Sequence, residues 1–282
     1  MQTPPKEQEV RLYYDRNTYP FLRFARNSAP KAIHQPLYEH PHMSLEDALH
    51  THHRKILHTL PKEINGRSIL DLGCGVGESM MYLAQHTPSD FKFYGITLSA
   101  AQALAASARI LKAGLSDRIQ VIKGSFQSLP PTIQNVEVAY AIESFIHSPD
   151  PSEFFVQVNS ALNQGGRLIL FDDFLTREPE NQTERNILTD LKSGWLANTL
   201  LTVEQTTCLA LQTGFLRESS DDLSGLLRLQ RLRDKCIHLL APLARLLLHH
   251  SQYCRFLVGG DARQQAYHEG LLQYAMLVFT KT

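Results

Sequence analysis

Three glycines at alternate positions follow an aspartate in Asp71-Leu72-Gly73-Cys74-Gly75-Val76-Gly77. Glycine turns the backbone at positive φ and lets a ligand lie against bare main chain. A helix begins directly behind, at Ser79-Met80-Met81-Tyr82-Leu83-Ala84, and its N-terminus offers unpaired N–H groups and partial positive charge. The loop therefore suits a nucleotide-like ligand. It departs from the dinucleotide fingerprint G-x-G-x-x-G, because its third glycine comes one residue early. Three other sets of groups have chemical potential: Glu143 with His147, the acid pair Asp172-Asp173, and the histidines His50, His52, His53 and His58. No carboxylate or cysteine accompanies the histidines, and they fall on different faces of a helix. The preferred reading for them is a solvated helix face rather than a metal site.

The elements that must position these groups alternate in type. An apolar run, Ile69-Leu70, enters the glycine loop as a strand. Further strands are expected at 91–99, 119–125, 136–142 and 167–171, with helices at 100–114 and 151–162. Strands alternating with helices at this pitch predict a parallel, doubly wound α/β sheet, with ligands at the carboxyl ends of its strands. Upstream, residues 10–27 are dense in aromatics, including Tyr13, Tyr14, Tyr19, Phe21 and Phe24. They fit both a helix packed on the core and a cap that lends aromatic walls to a pocket. Ser44-x-x-Asp47 starts a helix that Pro61 ends. Downstream, helices are expected at 180–199, with the only tryptophan, Trp195, and at 202–211, capped by Thr202 with Gln205 at its third position. A strand at 215–219, an amphipathic helix at 225–250 kinked at Pro242, a short helix at 262–270 and a strand at 271–279 follow. The chain thus divides into an N-terminal helical cap (1–60), a ligand-binding core (61–173), a lid insertion (174–213) and a C-terminal part completing the sheet (214–282).

With these motifs in place, the chain resembles the class I S-adenosylmethionine-dependent methyltransferases, whose D-x-G-x-G-x-G loop it matches at every fixed position. The resemblance covers about residues 60–175. It extends through Gly95-Ile96-Thr97-Leu98-Ser99-Ala100-Ala101-Gln102, Gly124-Ser125-Phe126 with Leu129-Pro130, and Ala141-Ile142-Glu143-Ser144-Phe145-Ile146-His147. It is strongest toward the tocopherol and sterol C-methyltransferases, the cyclopropane fatty acid synthases and the prenyl-diphosphate C-methyltransferases. A Rossmann-like fold is implied, with S-adenosylmethionine held by Asp71, Gly73, Cys74, Gly75, Gly77, Thr97, Leu98, Gln102, Ser125, Phe126 and Ala141. Two positions depart from the wider class. Thr97 replaces the acid that holds the ribose, and Ser125 replaces the aspartate that meets the adenine amine.

The resemblance also implies a reaction: methylation of a small, largely apolar metabolite, with carbon methylation of an isoprenoid or quinone-like acceptor favoured. Glu143 is then the base that removes the proton, and His147 is the second candidate. Tyr14, Tyr19, Phe24 and Trp195 would form an aromatic wall for the substrate. N- or O-methylation of a natural product and non-catalytic S-adenosylmethionine binding are the alternatives. Asp172-Asp173 reads as a capping or pocket-lining pair in preference to a metal site, and Mg²⁺ enters only with a substrate diphosphate.

Composition narrows the remaining classes. The 282 residues are 43% hydrophobic and 20% charged, with a formal net charge of zero, which removes a general electrostatic case for a nucleic-acid partner. Four scattered cysteines without C-x-x-C spacing, and an N-terminus without an apolar signal run, predict free thiols and a cytoplasmic location. No run of 18 apolar residues predicts a membrane span. The arginines of 225–250 read as a solvated basic face over a leucine core, with peripheral contact to an anionic lipid surface, or to a diphosphate, as the alternative. Nothing in the sequence assigns an oligomeric state.

Overall fold

The computed structural model describes residues 5–24, 32–61, 67–229, 232–246 and 252–282. Asn65-Gly66, a turn into the first strand by its residue types, lies outside them. Two helices lead: α1 (Pro5–Phe24) and α2 (Leu45–Thr59). Then come β1 (Ser68–Leu72), α3 (Glu78–Gln85), β2 (Lys92–Thr97), α4 (Ala100–Lys112), β3 (Ile119–Lys123), β4 (Val136–Ile142), α5 (Pro151–Ala161) and β5 (Leu162–Leu175). The chain ends with α6 (Gln182–Trp195), α7 (Val203–Gln212), β6 (Phe215–Asp222), α8 (Leu232–Leu246), α9 (Gln252–His268) and β7 (Leu272–Lys281).

The seven strands lie in the order β3-β2-β1-β4-β5-β7-β6. The first five are parallel, as the alternation of strands and helices requires. β7 runs antiparallel to both β5 and β6, so the sheet is mixed at that side. Strand order reverses between β1 and β4. The crevice outside their carboxyl ends is where such sheets bind ligands. Every residue of β4 up to Ala141 is buried, and so are Leu168–Leu175 of β5. These strands are covered on both faces, which is why they read as continuous apolar runs.

Local signals explain several boundaries. Ser44 accepts from the Asp47 N–H to start α2, and Thr202 and Gln205 form a reciprocal capping box on α7. Asp150 accepts from the N–H groups of Ser152 and Glu153, with Pro151 at the first helical position of α5.

Three expectations need correction. The long helix expected at 225–250 is instead a short 3-10 turn (Ser224–Leu226) followed by α8, with Pro242 inside it. Among the described side chains of α8, Leu239, Leu240 and Leu243 are exposed, while Ala241 and Ala244 are buried, so these leucines do not form a core. The helix expected from residue 262 begins at Gln252, because Gly259 and Gly260 lie within α9 rather than before it. A Cβ on Gly259 would stand 2.3 Å from Trp195 Cδ1, and one on Gly194 would stand 2.4 Å from the Gly259 nitrogen. These glycines mark a close crossing of α6 and α9. Lastly, His52 and His53 are fully buried, not solvated, since α2 turns this face onto the sheet. Among the described residues, no group of three or more His, Cys, Asp or Glu side chains is arranged to hold a metal ion, and no helix is long and apolar enough to cross a membrane.

Candidate active site

A cavity of about 440 Å³ opens at the carboxyl ends of β1, β2, β4 and β5. The glycine loop forms one wall. Gly73 and Cys74 both donate their N–H groups to the Ile96 carbonyl at the end of β2, at 3.0 and 2.9 Å. Gly73 has φ +101°, and a Cβ there would lie 2.5 Å from Ser144 Cβ. Loop and β4 turn therefore touch through a position only glycine can fill. Gly77 closes the loop as the N-cap of α3, with φ +79°.

Asp71, at the end of β1, lines the cavity and is otherwise buried. Burial pushes its carboxyl up to about 7, and the Tyr140 hydroxyl, donating to Oδ2 at 2.8 Å, works against that rise. Thr97 Oγ1 donates to Gln102 Oε1 at 2.7 Å, so these two neutral groups reach the cavity already joined. Cys74, Gly75, Leu98 and Phe126 also line it. Gly77 and Ala141 lie behind the lining. Ser125 is turned away: its hydroxyl donates to the Glu7 carboxylate of α1, while Gly124 and Phe126 on either side face the cavity.

Glu143 follows β4 with φ +51°, a left-handed conformation rare for a residue with a Cβ. Its N–H donates to the Phe171 carbonyl at 2.7 Å, which fixes the turn. Oε1 accepts from the Gln35 N–H at 2.7 Å and from the Tyr274 hydroxyl at 3.0 Å. One side of the carboxyl meets the cavity and protein encloses the rest. Burial raises its pKa to about 7, against the pull of the Arg263 guanidinium. Arg263 itself is paired with Asp173, at 2.5 and 2.8 Å, and Tyr267 donates to the same carboxylate at 2.5 Å. Asp172 accepts the N–H groups of Ile146 and Asp173, and burial followed by the Asp173 charge raises its pKa. Both acids of the pair line the pocket, and their oxygens already carry partners.

His147 bridges two elements. Nδ1 donates to the Leu196 carbonyl at 3.0 Å, which leaves Nε2 to accept from the Tyr14 hydroxyl at 3.0 Å. Burial lowers its pKa, so the ring is neutral. Tyr14 and Trp195 line the cavity, and Trp195 stacks on Phe256 at 6.4 Å. Tyr19 does not join them: it is 60% exposed. Five residues along a helix rotate a side chain by about 140°, which carries Tyr19 off the face that Tyr14 occupies. The Phe24 side chain lies outside the described residues. The first helix is held across the cavity by Asp15, which accepts from Ser99 Oγ at 2.6 Å and from the Ala101 N–H at 3.2 Å at the start of α4.

Sequence reasoning missed Gln35, Tyr274, His52 and Arg263. The first acts through its main chain and carries no side-chain signal. Tyr274 sits in an apolar strand where an aromatic residue is ordinary. Arg263 declares itself only through the acid it pairs with 90 positions away.

The family model described as mycolic acid cyclopropane synthetase matches residues 2–201. A 24-methylenesterol C-methyltransferase 2 from Oryza sativa subsp. japonica is 33% identical over 132 residues, covering 47% of this chain and 36% of that protein. The match thus spans about a third of that relative's length. Among solved structures, a geranyl diphosphate methyltransferase in complex with GPP and sinefungin superposes with a TM-score of 0.77 at 18% identity, over 99% of this chain and 100% of that one. The mycolic acid cyclopropane synthase CmaA1, complexed with SAH and CTAB, gives 0.78 at 18% identity, over 99% of each chain. At that identity the two superpositions establish a shared fold.

Proposed function

The chain belongs to the mycolic acid cyclopropane synthetase family, and on that premise we propose that it transfers a methyl group from S-adenosylmethionine to a carbon of an isoprenoid-like small molecule, with Glu143 as the base. The observation that carries this reading is the Glu143 carboxyl, which faces the cavity with a pKa raised to about 7. Methylating carbon leaves a proton to be removed, and a general base works best with a pKa near the working pH. A hydroxyl or amine acceptor also loses a proton, but from a heteroatom that exchanges it readily with water, so it depends less on a dedicated buried base.

The residues present fit S-adenosylmethionine. The loop from Gly73 to Val76 offers bare main chain, Asp71 would meet the cationic amino-acid head, Thr97 with Gln102 would take the ribose, and Gly124 and Phe126 would flank the adenine. When bound, S-adenosylmethionine supplies a methyl group on a positively charged sulfur. In such a transfer the S–CH3 bond would break as the acceptor's π electrons bond to the methyl carbon, leaving S-adenosylhomocysteine and a positive charge on the acceptor. Tyr13, Tyr14 and Trp195 border the cavity, and their ring faces would stabilise that charge. Glu143 then takes the proton. His147 has its Nε2 lone pair engaged by Tyr14, so we assign it to holding α1 against the turn at Leu196. Residues 174–213, which bring Trp195 to the cavity, act in this reading as the lid.

An acceptor without a diphosphate is favoured. The described lining residues include five carboxylates (Asp71, Glu78, Glu143, Asp172 and Asp173) and no Lys or Arg. Asp172 and Asp173 do not fit a Mg²⁺ site, because their oxygens already accept from main-chain N–H groups, Arg263 and Tyr267. The test is transfer of labelled methyl to a panel of uncharged isoprenoid alkenes, quinones, phenols, amines and geranyl diphosphate, the last with and without Mg²⁺. Label on carbon of an uncharged alkene or quinone supports the proposal. Label confined to phenols or amines would overturn it.

A further inference from the structure

The carboxylate of Glu143 is one end of a buried chain of hydrogen bonds that no part of the methyl-transfer scheme uses. Tyr274 Oη lies 3.0 Å from Glu143 Oε1 and 2.8 Å from His52 Nε2. Tyr274 and His52 are both fully buried, and 222 positions of sequence separate them. One comes from the last strand and the other from the second helix, so the bond forms only when the N-terminal cap is seated on the completed sheet.

A phenol has a single proton to give, and its direction decides what Glu143 receives. With the His52 proton on Nε2, the ring donates to Tyr274 Oη, and the phenol proton is left to donate to Glu143. With the proton on Nδ1, Nε2 would accept from Tyr274 and turn that proton away. Glu143 Oε1 would then keep only the Gln35 N–H. We propose that His52 and Tyr274 are a positioning pair: His52, as the Nε2–H tautomer, aims the Tyr274 hydroxyl at Glu143 and so holds the carboxylate ionised with its free side toward the acceptor. The inference rests on the reading of Glu143 as the base.

The surroundings agree with a neutral donor at His52. Burial, then the neighbouring His34, His53 and Lys55, drive its pKa well down, only partly offset by the Leu49 carbonyl, so it carries one proton, and Nδ1 makes no hydrogen bond of normal geometry that would hold the proton there. Around Glu143 stand Arg263, which favours the ionised form, and Asp173, which opposes it; Asp172, whose own pKa Glu143 helps to raise, and the buried hydroxyls of Tyr14 and Tyr267 lie close by. Burial and Asp173 work toward a protonated, useless carboxyl. The Tyr274 hydrogen bond works the other way.

The experiment follows the Glu143 carboxyl by infrared titration of the full chain with S-adenosylhomocysteine bound, alongside the pH profile of methyl transfer. The Glu143→Gln variant assigns the band. Tyr274→Phe should raise the midpoint by about one pH unit, as loss of one hydrogen bond to a charged group does. Turnover at pH 7 should fall about fivefold and recover at pH 9, a pattern that a merely loosened fold would not give. His52→Phe should shift the midpoint the same way, and His52→Gln, whose amide offers a donor near the old Nε2, should restore it. S-adenosylhomocysteine affinity and melting temperature report folding in each case. An unmoved midpoint in Tyr274→Phe, or equal midpoints in His52→Phe and wild type, would overturn the pair. Full turnover in Glu143→Gln would instead overturn the base itself.

Discussion

The Gln35 N–H donates to Glu143 Oε1 at 2.7 Å across 108 positions of sequence. The segment after the first helix therefore supplies a contact to the carboxylate at the centre of the cavity, as well as covering it. Tyr14 does the same for His147, and Asp15 for the start of α4. Residues before β1 and residues of the sheet's loops share one hydrogen-bonded site.

Glu143→Gln keeps the shape and the hydrogen-bonding oxygen but cannot take a proton. Turnover should fall by about 10²–10⁴-fold, with S-adenosylhomocysteine affinity unchanged by calorimetry. Stability should move the other way. The carboxyl has its folded pKa near 7, above the unfolded value of 4.5. The folded state therefore holds the proton more tightly, and stability is lost as pH rises from 4.5 through 7. The full linkage would be ~3 kcal/mol, and contact with cavity water reduces it. Denaturant midpoints should show the variant more stable than wild type by about 2 kcal/mol at pH 8, with most of the gain gone at pH 5.

Asp71 predicts a pH dependence of cofactor binding. Its carboxyl, raised to about 7 by burial, must ionise to meet a cationic head group. Affinity for S-adenosylmethionine should fall as pH drops below 7, and binding at pH 7 should release a fraction of a proton, read from calorimetry in buffers of different ionisation enthalpy. Asp71→Asn should abolish that part of the pH dependence and weaken binding at pH 8. A pH dependence unchanged in the variant would show that another group is responsible.

What was legible from the residues follows from how far each signal reaches along the chain. The glycine loop, the first four parallel strands and the caps at Ser44 and Thr202 are local patterns that appear close to where they are expected, whereas β5 extends beyond the expected 167–171 at both ends. Helix α9 begins at Gln252 rather than at the expected residue 262, because Gly259-Gly260 disfavours a helix by local propensity, whereas here Gly259 lets two backbones meet. His52 was misread for a related reason. Nothing local shows that α2 presents this face to a sheet formed more than 100 residues later. The carboxylate's partners, Gln35, Tyr274 and Arg263, exist only through tertiary contact.

Two glycines of one loop should fail differently. At Gly73, φ is +101° and an added Cβ meets the buried Ser144 at 2.5 Å from its Cβ. Gly73→Ala should therefore destabilise the fold outright, with loss of the cooperative melting transition at 37 °C or a large drop in its midpoint. At Gly75, φ is +52° and the only neighbour within 4 Å is Gln102 Nε2, at 3.9 Å. Gly75→Ala should cost about 1–2 kcal/mol of stability for the left-handed backbone. Its methyl would stand beside Gln102, so S-adenosylhomocysteine affinity should fall by more than stability does. Equal melting losses in the two variants would contradict the different surroundings of these positions.

Asp173 and Arg263 form an ion pair with side chains only 5% and 3% exposed, beside Glu143. Breaking a buried pair by removing one charge leaves the other uncompensated, which typically costs about 3–5 kcal/mol. Asp173→Asn should therefore lower the melting temperature clearly, although the side chain keeps its size. The second effect is on the base. Asp173 opposes ionisation of Glu143 and Arg263 favours it. With Asp173 neutral, the freed guanidinium acts on Glu143 unopposed, and the Glu143 pKa should fall below 7. The acid limb of the turnover profile should then move to lower pH, opposite in sign to the Tyr274→Phe shift. Combining Asp173→Leu with Arg263→Met should recover stability, since an apolar pair of similar volume often replaces a buried ion pair at no cost. The same double variant removes both influences at once, so its limb should lie above that of Asp173→Asn. An acid limb that stays in place in Asp173→Asn while the protein melts early would show that the pair braces α9 without tuning the carboxylate.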